Sequence, residues 1–133
     1  MDGVRFCTYC AARDLDPLET LARRVCPRCE HGFLLNGARE LVASCGDALL
    51  VITSDLRIGA ASAAVEPILG DPEPLVGREL GSVLDAGELA TRARECARGA
   101  TEVSSHRVRV GTRTLSARVG ACDPPRAALV ALG

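Results

Sequence analysis

The chain has 133 residues, of which 47% are hydrophobic and 2% aromatic, with a formal net charge of −1. This length allows one ordinary domain, or a small domain attached to a compact one. A nearly neutral chain lacks the basic surface that attracts nucleic acid or anionic lipid, and no stretch reaches the roughly 20 apolar residues of a membrane span.

Two closely spaced cysteine pairs stand near the start of the chain. Cys7 and Cys10 form the first pair, Cys26 and Cys29 form the second, and fifteen residues lie between the pairs. Four thiolates at this spacing complete a tetrahedral zinc site and leave no open position for hydrolytic chemistry. We therefore predict one structural Zn²⁺, which would supply folding energy to a segment too short to bury a core of its own.

The segment between the two pairs carries helix signals. Asp16 can cap a helix whose first residue is Pro17, and apolar residues recur at helical spacing through residue 25. After the second pair, residues 32–35 predict a short strand ending in a turn at Asn36 and Gly37. We expect the first module to end there, giving a domain at residues 1–37 and a second at residues 38–133.

The second part alternates short elements of both kinds. A short helix is expected at residues 38–45, and strands are expected at residues 47–53 and 57–61. Ser62 should cap a short helix that is bent at Pro67 and closed by Gly70.

A longer helix is expected between the capping residues Asp85 and Glu88 and the C-terminal cap Gly99. Three strands follow, joined by a hairpin at residues 111–113 and a break at residues 123–125. This order predicts an α+β fold with a mostly antiparallel sheet.

Three segments of the second part resemble PAS domains. Residues 47–58 resemble the opening hairpin of that family, residues 62–70 its small helix with a terminal Gly, and residues 75–80 the segment that enters the next helix. The departures are Ser62, where many PAS domains carry Asn, and Glu79, where Pro is common. The likeness covers residues 41–133 and implies a five-stranded antiparallel sheet with short helices.

The resemblance also implies a homodimer, because PAS domains commonly pair through the helix that precedes the first strand. Leu41 and Val42 supply an apolar stripe at that position, so we expect them at the dimer interface.

The first part is similar to zinc ribbons and, through residues 26–29, to rubredoxins. Ala11 follows the first cysteine pair where rubredoxins carry Gly, and the aromatic residues that surround the iron in that family are few here. Zinc is therefore the expected metal, with rubredoxin-like iron as the alternative.

The remaining cysteines and histidines have simpler interpretations. Cys45, Cys96 and Cys122 lack partners nearby in sequence and are expected to be small buried hydrophobes. His31 is expected on an exposed loop, and His106 lies outside the long helix from which PAS haem ligands usually come. No flavin-type cysteine motif follows residues 77–78, so we expect neither haem nor flavin, and at most a small apolar ligand.

These observations favour a non-enzymatic sensory or regulatory module that acts through protein–protein contacts and PAS-mediated dimerisation. The alternatives are a thiol redox switch that releases zinc on oxidation and a rubredoxin-like electron carrier. The first module balances five Arg against five acidic residues, and a four-thiolate zinc centre adds about −2, which argues against nucleic-acid binding. The seven cysteines and the lack of a signal-peptide pattern predict a cytoplasmic protein with an unidentified protein partner.

Overall fold

Seven antiparallel strands of the described residues form one sheet, and short helices cover it. The computed structural model of the chain describes residues 3–13, 15, 24–70 and 73–133. The elements in chain order are β1 (Gly3–Cys7), β2 (Leu34–Ala38), α1 (Arg39–Val42), β3 (Leu49–Ile52), β4 (Ile58–Ala61), α2 (Glu66–Leu69), α3 (Glu88–Ala97), β5 (Ser104–Val110), β6 (Arg113–Asp123) and β7 (Ala127–Leu132). Two turns of 3-10 helix lie at Ala63–Val65 and Leu80–Ser82.

The strand order is β1-β2-β6-β7-β3-β4, with β5 also paired to β6. Strands β3 to β7 form the expected five-stranded unit, in the order β4-β3-β7-β6-β5. The longest strand, β6, has β7 along one edge, while its other edge is shared by β5 and β2. The cysteine-bearing part thus extends the same sheet as the five-stranded unit.

Both faces of the sheet are covered, which explains why every residue of β7 is buried. Alternation along a strand sends successive side chains to opposite faces. Leu50 and Val130 belong to a cluster on the face covered by α3, which we call the inner cluster. Leu129 belongs to the cluster on the opposite face, the outer cluster, whose members are Phe6, Ala11, Leu35, Leu41, Val42, Leu49, Val51, Cys122, Ala127, Leu129 and Ala131.

Among the described residues the longest helix is α3, which forms where its apolar spacing predicted. Leu89 and Ala93 are fully buried on the side that faces the sheet. Gly70 ends α2 with a φ of 64°, and its NH donates to the carbonyl of Glu66 at 2.8 Å, as expected of a glycine cap. No helix of the described residues is long and apolar enough to cross a membrane.

The turn predicted at Asn36 and Gly37 is wrong. Both residues continue β2, where Asn36 pairs with Arg5 on one side and with Asp123 on the other. The Asn-Gly sequence favours a turn locally, but hydrogen bonding to β1 on one edge and β6 on the other keeps these residues extended. Glycine is needed at position 37 for packing, because a Cβ there would lie 2.7 Å from Val42 Cγ2.

Two capping predictions are also wrong. Ser62 caps no helix, because its hydroxyl donates to the Asp47 carbonyl at 2.5 Å and accepts from the Leu49 NH at 2.8 Å. Asp85 exchanges two backbone hydrogen bonds with Arg109, and α3 begins after Gly87 without a side-chain cap. The helix predicted from Pro17 to residue 25 lies mainly outside the described residues, and Val25, at its expected end, instead forms an antiparallel β-bridge with Phe33.

Candidate metal centre

The first cysteine pair lies on a tight turn that directs backbone NH groups at sulfur. Cys7 ends β1, and the NH groups of Tyr9 and Cys10 donate to its Sγ at 3.3 and 3.4 Å. The Cys7 NH donates back across the turn to the Ala12 carbonyl at 2.9 Å. Ala11 adopts a φ of 63°, which brings the chain around directly after Cys10.

The second pair lies on a comparable turn, in which the second cysteine of the pair accepts from a backbone NH group. The Cys26 NH donates to the Gly32 carbonyl at 2.9 Å, and the Gly32 NH donates to Cys29 Sγ at 3.4 Å. Glu30, directly after Cys29, has a φ of 59°. Two matching turns therefore present two sulfur atoms each.

The four sulfur atoms converge on one point. They all lie within 4.8 Å of one another, with 3.6 Å between the Sγ atoms of Cys7 and Cys29 and 3.8 Å between those of Cys10 and Cys26. A tetrahedral Zn²⁺ with Zn–S bonds of about 2.3 Å places its ligands about 3.8 Å apart. The four sulfur atoms are therefore close enough together to hold a single metal ion.

A glycine allows the two turns to meet. A Cβ at Gly32 would lie 2.3 Å from Cys7 Sγ and 2.7 Å from the Tyr9 backbone nitrogen. Real Cβ atoms do not come so close, so only glycine fits between the pairs.

The thiols of the cluster have unequal acidities. Burial raises the pKa of Cys7 to about 12, although the NH groups of Cys10 and Tyr9 oppose it. Burial also raises the pKa of Cys10. At Cys29 burial acts in the same direction, but the NH groups of Gly32 and His31 and contacts with the other thiols lower the pKa to about 6. The NH groups around Cys29 therefore favour the thiolate that a metal ion needs.

The centre is buried on one side and open on the other. Cys7 and Cys26 are fully buried, while Cys10 is exposed. A shallow cavity of about 460 Å³ adjoins the open side and is lined partly by Cys10, Cys29 and Arg28. Solvent-borne reagents therefore have a route to two of the four sulfur atoms.

Arg13 joins the centre to the second part of the chain. Its Nε donates to the Ala11 carbonyl at 3.2 Å within the turn. Its two terminal nitrogens donate to three backbone carbonyls of the second part, those of Val42, Cys45 and Gly46, at 3.1, 2.7 and 3.1 Å. It also forms an ion pair with Asp47 at 3.1 Å. The turn bearing the first cysteine pair is thereby fixed to the segment between α1 and β3.

Two further backbone contacts hold the same turn. The Tyr9 carbonyl accepts from the Ala63 NH at 2.9 Å, beside the end of β4. Thr8 is buried, and its hydroxyl accepts from the Phe33 NH at 3.0 Å. The turn that bears the first cysteine pair thus contacts the segment before β3, the segment after β4 and the residue that precedes β2.

The four cysteines expected as ligands come together, and the histidines do not join them. Among the described residues, the cluster of potential ligands contains cysteines alone. His31 is exposed, and its ring lies edge-on to the Tyr9 ring, with 5.8 Å between the ring centroids. His106 lies on β5, where its Nε2 pairs with the Ser104 hydroxyl at 2.8 Å.

The other three cysteines lie apart from the centre. Cys96 and Cys122 are buried, as expected, and burial raises the pKa of both, to about 12 for Cys122. Cys45 is half-buried, and its thiol donates to the Val42 carbonyl at 3.6 Å.

Leu41 and Val42, expected at a dimer interface, are fully buried within the chain as part of the outer cluster. They are covered because β1 and β2 extend the sheet beneath α1. A partner that approaches this helix would meet the exposed side chains of Arg39 and Glu40 instead. The dimer contact stays a prediction, and these two side chains are inaccessible to it in this conformation.

Comparison with known proteins identifies the fold. No protein-family model and no curated protein matches the sequence. The PAS domain of histidine kinase ThkA matches with a TM-score of 0.50 and 18% identity, over 64% of this chain and 95% of that domain. The fold is PAS-like. A second structure of the same domain, carrying two Phe-to-Met substitutions, matches equally well over 65% of this chain.

The PAS-like fold agrees with the antiparallel order of β3 to β7 and with the short helices that cover the inner face. The four-cysteine cluster at the N-terminal end is consistent with a small zinc module. The predicted fold class is confirmed.

Proposed function

We propose that this chain is a non-enzymatic regulatory module, in which a structural Zn²⁺ at Cys7, Cys10, Cys26 and Cys29 stabilises a surface attached to a PAS-like domain. The observation that carries this proposal is the convergence of four sulfur atoms at zinc-like spacing. Protein ligands fill all four positions, so the ion would serve the fold and would have no position for a substrate. The PAS-like fold supports a sensory role, since that fold is typical of signalling modules.

The shared sheet supports a regulatory connection between the two parts. β2 pairs with β6 of the PAS-like unit, and Arg13 contacts the segment that leads into β3. The metal centre and the PAS-like core would then respond together to a ligand or partner. The division into domains at residues 1–37 and 38–133 belongs to this proposal, with β2 as the strand between them.

Native mass spectrometry of the full chain tests the metal. We expect one zinc ion per chain and none in the double variant Cys26→Ser with Cys29→Ser. The Cys45→Ser variant, which removes a thiol outside the cluster, should keep the ion. A stoichiometric metal in the double variant would contradict the proposal, and a coloured iron-loaded protein would favour the rubredoxin-like electron carrier.

A thiol redox switch is the second candidate, favoured by the exposure of Cys10 and by the cavity that adjoins Cys10 and Cys29. In such a switch, hydrogen peroxide would oxidise two thiolates to one disulfide, would itself be reduced to two waters with uptake of two protons, and zinc would leave. Zinc release that low peroxide drives and a thiol reductant reverses would establish it. Release only at concentrations that damage the protein would leave the structural role.

The remaining elements of the proposal concern partners and surroundings. We expect a homodimer in the cytoplasm. A reducing compartment would keep the seven cysteines as thiols, the state that they have in the structure. We expect a protein partner, no nucleic acid, and neither haem nor flavin, with at most a small apolar ligand in the core. Light scattering and an absorption spectrum of the purified protein test the dimer and the cofactors, respectively.

A further inference from the structure

A groove of about 530 Å³ lies between the metal centre and the outer face of the sheet. Leu34 and Leu35 of β2 line one side, and Val51 and Ala60 of the β3–β4 hairpin line the other. The groove is open to solvent and large enough to receive several side chains, since small-molecule sites typically span about 300–1,000 Å³.

An exposed aromatic ring stands at this groove. Phe33 is 58% exposed and lines it, although its backbone is held on both sides by Thr8. Tyr9 and Val25, each 44% exposed, lie on the same metal-binding part, and Val25 pairs with Phe33 through a backbone bridge. Of these three side chains, Phe33 alone is among the described residues that line the groove, and an exposed aromatic ring is typical of a protein contact site.

The charged residues among the described lining of the groove are all basic, namely Arg5, Arg24 and Arg126. The Arg126 guanidinium lies against Gly99, outside the described lining, so Arg5 and Arg24 carry the charge of the groove. The Arg24 carbonyl accepts from the Leu34 NH at 2.8 Å, so its backbone is fixed beside β2. An acidic ligand would complement this groove, and its apolar groups would contact Phe33 and the leucines.

We propose that this groove binds an acidic, apolar segment of a partner protein. The inference deepens the proposed function, since it names the chemistry of the partner that the metal-stabilised surface would contact. A protein segment is favoured over a nucleic acid because the lining is mainly apolar, a single aromatic ring is available for stacking, and the whole chain carries a charge of −1.

A peptide array tests the proposal with the zinc-loaded full chain. The array contains extended peptides in which apolar residues alternate with Asp and Glu, and matched peptides with Lys in place of every acid. We expect selective retention on the acidic set. The strongest acidic peptide, labelled with fluorescein, then gives a dissociation constant by anisotropy, which should weaken as salt is added.

Two variants locate the site. Phe33→Ala keeps the backbone hydrogen bonds to Thr8, and Arg24→Glu keeps the one to Leu34, so both should fold. Each should weaken binding by roughly tenfold or more, as is usual for central aromatic and arginine contacts. The controls are Val76→Ala, at a 60% exposed residue that does not line the groove, and Arg107→Glu on exposed β5; both should bind normally.

Metal content separates this inference from the proposed function, so native mass spectrometry accompanies each variant. Loss of peptide binding while zinc is retained supports the groove. Equal retention of acidic and Lys peptides, no peptide binding, or tighter binding of single-stranded DNA than of any peptide would overturn the proposal. Binding that survives both Phe33→Ala and Arg24→Glu would also overturn it.

Discussion

Gly32 lies against Cys7 so closely that a methyl group at position 32 would stand 2.3 Å from the Cys7 sulfur. Each cysteine pair forms its own turn, and the four sulfur atoms converge because these two turns touch at this point. The geometry of the metal centre therefore depends on the absence of a side chain at position 32. Several of its consequences can be measured.

Gly32→Ala should weaken metal binding by roughly 10–100-fold, the range typical for disturbed support of metal ligands. The added Cβ has no torsion by which it could avoid Cys7, so one turn must move away from the other. Competition with a chelator measures the affinity. Gly46→Ala is the matched control, because a Cβ there meets nothing within 4 Å; equal losses in both variants would contradict the packing argument.

Metal removal should loosen the outer cluster as well as the two cysteine turns. Phe6 is fully buried in that cluster one residue before Cys7, so disorder at the centre reaches α1 and the outer face of β7. In the Cys26→Ser variant we expect faster amide exchange in β1, β2 and α1, with α3 little changed. Cys45→Ser serves as control, and slow exchange throughout β1 and β2 without metal would contradict this expectation.

Arg13→Ala should destabilise the chain by about 1–3 kcal/mol, because four backbone carbonyls lose a charged donor. Asp47→Asn removes only the ion pair with a carboxylate side chain that is 75% exposed, so its effect should stay within about 1 kcal/mol. Urea unfolding of both variants compares the two contributions. If Asp47→Asn costs as much as Arg13→Ala, the ion pair is the dominant interaction.

Cys122 should make stability fall at alkaline pH. Burial, with smaller effects from Asp123 and Cys96, raises the pKa of this thiol from its ordinary 9.0 to about 12. Below pH 9 the thiol is protonated in both states and stability is complete. Between these values the unfolded chain loses the proton first, so the free energy of unfolding decreases as pH rises, by at most about 1.4 kcal/mol per pH unit.

Replacing Cys122 with Ala should remove this part of the slope. Urea unfolding at about pH 8 and about pH 10.5 brackets the change, and the difference between wild type and variant isolates Cys122 from other groups that titrate there. Cys45→Ala is the control at a half-buried thiol. Parallel slopes for wild type and Cys122→Ala would contradict the prediction.

Features that depend on local sequence pattern could be predicted from the sequence alone. The paired cysteines, the apolar spacing of α3 and the alternation in β5 and β6 each predicted what the structure contains. Local pattern failed where a distant partner decides the outcome. Asn36 and Gly37 read as a turn, yet strand pairing on both edges extends them into β2.

Ser62 and Arg13 show the same limit at the level of side chains. Ser62 had the right position for a helix cap, but Asp47 and Leu49 supply its partners from a segment about fifteen residues earlier. Arg13 carries no sequence signal, because most of its acceptors are backbone carbonyls, which every residue possesses. The donor depends on residue type, but the position of its acceptors depends on the tertiary fold.

The pairing of β2 with β6 also prevents other copies of the chain from pairing with this part of the β6 edge. Beyond β5, the last residues of β6 would otherwise offer unpaired NH and carbonyl groups to any other extended chain. The antiparallel pair of β1 and β2 occupies that edge, and the cysteine turns lie in the chain that joins these two strands. A fragment that starts at residue 39 would retain the PAS-like strands but expose this edge, so we expect it to self-associate through β6 where the intact chain does not.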